Sequence, residues 1–138
     1  MISLILITIA GILNAIMDVL AVRYDVSVFS KLTQFKLFLD PRISWANKYK
    51  NGSVFSGPKF FGSTTFFVSF TDAWHLAKSL MIWLISAAII FYTPIVNPLI
   101  DIFIMHVLFS TSFELFFGTL FIKGALKRKW LKFKKKIV

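Results

Sequence analysis

The sequence predicts an all-α integral membrane protein with three transmembrane helices. A cytoplasmic amphipathic helix lies between the first and second, the N-terminus faces out and the C-terminus faces in. Three observations lead there. Of the 138 residues, 57% are apolar, against about 45–50% in an ordinary soluble domain. Residues 2–22 hold one acid and no Lys or Arg, and residues 79–122 hold only Asp101 and Glu114 with no Lys or Arg. Runs of that length match the roughly 20 residues needed to cross a hydrocarbon core about 30 Å thick. The formal charge of +10 sits outside these runs.

This segregation excludes a soluble enzyme, a free nucleic-acid-binding domain and a disordered basic tail. The chain has no cysteine, so disulfides, thiolate metal sites and a cysteine nucleophile are excluded too. Phe, Ile, Lys, Met, Asn and Tyr make up 58 of the 138 residues, and their AT-rich codons point to a bacterial, phage or organellar genome; the expected location is a bacterial inner membrane first and an organellar inner membrane second.

The first span is read over residues 2–22. Its start lacks the basic n-region of a cleaved signal, and Asn14 and Asp18 interrupt the apolar stretch. Residues 26–39 carry Val28, Leu32, Phe35 and Leu39 at i, i+4, i+7 and i+11 with polar residues between them. That spacing predicts an amphipathic helix lying in the headgroup layer. Asp40-Pro41 is a cap followed by a favoured first helical residue. Trp45 and Tyr49 among Arg42, Lys48 and Lys50 suit the membrane interface. Asn51-Gly52 and Gly57-Pro58 mark residues 50–62 as a re-entry loop.

The second span is expected over residues 64–92, with Ser63 or Thr64 as its N-cap. Two prolines, Pro94 and Pro98, confine the next turn to residues 93–98. The third span follows over residues 99–122. Residues 23–63 contain seven Lys/Arg and residues 123–138 eight, whereas the 93–98 turn contains none. With three spans both basic regions share a side, which the positive-inside rule assigns to the cytoplasm. The whole of 1–138 reads as a single membrane domain without repeats.

Ionisable side chains at membrane depth point to function. Counted from the cytoplasmic ends of the expected spans, Asn14, Asp18, Asp72, His75 and Glu114 fall within about 10 Å of one another in depth at roughly 1.5 Å per residue. Asp72, His75 and Ser79 form one stripe, and His106, Ser110 and Glu114 form another. The expected metal or proton site is therefore Asp18, Asp72, His75, His106 and Glu114, supported by Asn14, Lys78 and Ser110. Imidazole with carboxylate oxygens suits a single zinc, manganese or iron ion, and the same groups relay protons. The di-iron bundles use two Glu-x-x-His motifs; one Asp-x-x-His does not support a dinuclear site.

Asp101 and Asn97 lie on another face and read as helix-end partners. The tail from residue 123 to 138 includes Lys127, Arg128, Lys129, Trp130, Lys132, Lys134, Lys135 and Lys136. Each base near an anionic leaflet contributes about 1 kcal/mol, so acidic lipid is its expected partner in preference to nucleic acid. Three helices bury little surface among themselves, which predicts a homo-oligomer or a place in a larger membrane complex. Three functions are compatible with this reading. An ion or proton site comes first, a non-catalytic assembly subunit second, and a metal-dependent hydrolase of lipid headgroups third. No phosphate loop, nucleophile elbow or H-E-x-x-H occurs.

Overall fold

The computed structural model describes residues 1–127 and Trp130. Its helices in chain order are α1 (Ile2–Val22), the one-turn α2 (Lys36–Leu39) and α3 (Pro41–Ser44), then α4 (Ala73–Ile90) and α5 (Pro98–Leu115). A π turn over Phe116–Leu120 continues α5. No strand is assigned among the described residues. Three helices are long and apolar enough to cross a membrane: Ile2–Val22, Ala73–Ile90 and Pro98–Leu120.

α1 is the central helix. It packs against α4 and α5, which make little contact with each other. Ser3 Oγ donates to the Phe91 carbonyl at 3.0 Å, and Leu20 packs with Ala73, so α1 and α4 run antiparallel. Val19 packs with Ile122, so α1 and α5 run parallel. Small residues make this possible: Ala10, Ala15, Ala73, Ala77 and Ala88 are buried, which lets helix backbones approach closely. Gly11 is the tightest point. A Cβ there would lie 2.5 Å from the Phe109 carbonyl oxygen of α5.

Two expectations change. The second long helix starts at Ala73 rather than residue 64, and its N-cap is Asp72 rather than Ser63 or Thr64. Gly62 turns with a φ of 76°, and the Ser63 hydroxyl is committed elsewhere, donating to the Lys48 carbonyl at 2.7 Å. Residues 26–39 are not one amphipathic helix but successive 3-10 turns leading into α2. The Leu32 N–H donates to the Phe29 carbonyl and the Phe35 N–H to the Leu32 carbonyl, each at 3.0 Å; these i→i−3 bonds close 3-10 turns in place of an α-helical ladder. Residues 50–62 include part of a hairpin: a bridge joins Tyr49 to Pro58, with Lys50 N–H donating to Gly57 and Lys59 N–H to Lys48. Asp40 does cap α3, accepting from the Arg42 N–H.

Candidate functional site

At the start of α4, Asp72 and His75 come together. Asp72 is 3% exposed. Its Oδ1 accepts the His75 backbone N–H at 2.9 Å, the bond that makes Asp72 an N-cap. Its Oδ2 faces His75 Nδ1 at 2.6 Å and accepts from the Thr71 hydroxyl at 3.3 Å. A carboxylate only accepts, so Nδ1 is the donor in this contact and Nε2 points away from Asp72. The imidazole stands edge-on to Trp74, with ring centroids 5.0 Å apart. Lys78 is exposed, and its ammonium lies 5.0 Å from the Trp74 ring centroid. It forms no ion pair with Asp72 or Asp18.

The other expected members lie elsewhere. Asn14 and Asp18 continue the stripe of α1 that begins at Ile7 and Gly11. Both are half-buried, and neither side chain makes a hydrogen bond or ion pair among the described residues. On α5, Gly11 of α1 meets Phe109 and Ser112, and Ser112 is buried. His106, Ser110 and Glu114 fall on other sides of that helix: His106 and Glu114 are exposed and Ser110 is half-buried. Ser110, Thr111, Glu114 and Gly118 line an open groove on the outer surface of α5. Among the described residues, no three His, Asp or Glu side chains are grouped closely enough to hold a metal ion. The Asp72–His75 pair thus supplies two adjacent donors, and the stripe on α5 is a separate feature.

Of the expected lipid-contacting tail, Lys127 and Trp130 are both exposed. Arg128, Lys129, Lys132, Lys134, Lys135 and Lys136 lie outside the described residues.

Two carboxylate sites escaped the pattern of the sequence, wholly or in part. At one end of the bundle, Arg42 grips Asp40 through Nε–Oδ1 and Nη2–Oδ2 bonds of 2.9 Å each. It also reaches Asp25 at 3.0 Å. Asp40 is buried, and the guanidinium holds its carboxyl below the ordinary aspartate range. Asp25 and Asp40 are the only acids between residues 19 and 71, which is the signal that could have paired them with a base. At the opposite end, Asp101 is fully buried. It accepts the Tyr92 hydroxyl at 2.9 Å and the N–H groups of Ile95 and Val96 at 2.8 and 3.2 Å. The helix-end role was legible; the convergence of three donors was not.

No family model, no curated protein and no solved structure matches the chain.

Proposed function

We propose that the chain is a non-catalytic subunit of a membrane assembly, inserted with its N-terminus outside and its basic segments inside. The polar outer side of α5 docks against helices of other subunits. The observation that carries this reading is the exposure of His106 and Glu114 on a helix apolar enough to span a bilayer. An ionisable group facing lipid costs about 2.5–3.5 kcal/mol near the bilayer centre on insertion scales. Ser, Thr and His side chains that bond across helices remove such costs. Ser110, Thr111 and Gly118 beside Glu114 supply the hydroxyls and the small residue for a close helix approach.

The test is Glu114→Leu together with His106→Leu in native membranes. The subunit reading expects both variants to insert normally and to lose their co-purifying partners or self-association. Retention of every partner by both variants would refute it. The orientation has its own test, since the chain lacks cysteine: Ile95→Cys is to be labelled by an impermeant maleimide from outside only.

A second reading rests on the 2.6 Å Asp72–His75 contact. A carboxylate that orients an imidazole sets Nε2 as a proton or cation acceptor. Elemental analysis of untagged protein beside His75→Ala checks it. A stoichiometric metal lost in the variant favours the ion site over the subunit role.

A further inference from the structure

We infer that the segment between α3 and α4 is a wedge that seats in the headgroup layer of an anionic leaflet, its apolar tips in lipid and its lysines on lipid phosphates. Residues 45–71 contain Lys48, Lys50 and Lys59 and no acid. They also contain Trp45 and six Phe, several of them turned outward. Phe55 is fully exposed, and Phe61 and Phe66 are 90% and 88% exposed. Large apolar side chains exposed to this degree among lysines suit an interaction surface.

The tips are held rigidly. The hairpin closed by the Tyr49–Pro58 bridge carries Val54 and Phe55 at its end. The fully buried Ser63 hydroxyl fastens its base, accepting the Lys59 N–H at 3.0 Å while donating to the Lys48 carbonyl. Phe67 closes over Gly62, where a Cβ would meet its ring at 2.8 Å. Fixed geometry lowers the entropy lost on binding.

Two features select lipid as the occupant. The segment runs directly into Asp72, the cap of a helix apolar enough to cross a membrane, so it lies at the level where that helix meets the headgroups. Its charges are all of one sign, the complement of acidic phospholipid. A cavity of about 210 Å³ lined by Leu37, Phe38, Phe60 and Phe70 with Asn47 and Lys59 lies in the same region. This inference rests on the three long helices crossing the bilayer, not on the subunit role.

The natural absence of cysteine makes the test clean. Spin labels on Ser56→Cys and Thr65→Cys leave every Phe in place, and Ile82→Cys serves as a mid-span control. The full chain is reconstituted in phosphatidylcholine alone or mixed with phosphatidylglycerol, and label collisions with oxygen and a water-soluble nickel chelate are compared. The wedge predicts that Ser56→Cys and Thr65→Cys lose nickel accessibility and gain oxygen accessibility in the mixed bilayer. They shift toward water in phosphatidylcholine alone or when Lys50→Glu and Lys59→Glu are added. Nickel-accessible labels in the mixed bilayer, with the control still in lipid, overturn the wedge. Labels closed to both reagents mean a protein partner covers the surface and overturn it as well. Equal depth in both bilayers overturns the role of the lysines. A water-exposed Ile82→Cys control would instead overturn the membrane reading itself.

Discussion

The two ends of the bundle each fix a buried aspartate, and they do it with different chemistry. At the 91–97 turn, Asp101 is satisfied by a phenol and two backbone amides. At the other end, Asp40 is satisfied by a guanidinium that also holds Asp25. The turn contains no base at all, so its carboxylate is solvated by neutral donors alone. The basic end has cations to spare and uses one as a clamp. The turn without bases is limited to neutral donors, whereas the basic end uses a guanidinium at Asp40 and a backbone amide at Asp72.

Breaking each site in turn gives graded effects. Asp101→Ala should cause the largest loss of thermal stability in detergent, because it removes a fully buried carboxylate that accepts from three donors at once; a change smaller than that of Asp72→Ala would contradict the comparison. Arg42→Ala comes next. It leaves Asp40 buried without its cation and should free the 23–72 segment from α1, read as faster proteolysis between residues 45 and 60 with the long helices intact. Asp72→Ala removes one cap and is expected to cost about 1 kcal/mol, measured as a shift in the denaturation midpoint.

The smallest effects separate the ends by pH. The carboxyl of Asp40 is held below its usual value by Arg42, so its contribution is complete above the ordinary aspartate pKa of about 3.9. It fades as pH falls through the lower folded value. The phenol of Tyr92 is raised by burial and by Asp101. Its contribution is complete below about pH 10 and fades as pH rises through the higher folded value. Tyr92→Phe should therefore flatten the alkaline limb of the stability profile and leave the acid limb unchanged.

Much of the fold was legible because hydropathy and proline placement carry it. The apolar run of residues 2–22 and the Pro94–Pro98 turn need only local physics. The start of α4 was not legible, because Phe66, Phe67 and Phe70 extend the apolar signal through residues that form turns. Hydropathy does not distinguish a helix from an exposed apolar loop. The Asp72-x-x-His75 spacing is shared by a ligand pair and an N-cap with its third helical residue, and in the structure the cap accounts for one of the two Asp72–His75 bonds. His106, Ser110 and Glu114 do form a stripe as their spacing implies. The direction it faces depends on Gly11 meeting Phe109 and Ser112 nearly a hundred residues away, and no local pattern records that. The Asp25–Arg42–Asp40 clamp is long-range in the same sense.

The most direct test of the subunit reading is the protein mass, with bound detergent subtracted, of the complex extracted gently from native membranes, beside Glu114→Leu. A subunit that docks through α5 predicts a parent species heavier than the 15.8 kDa chain and a variant reduced toward it. A parent that runs as a single 15.8 kDa chain, unchanged by the substitution, would contradict the account.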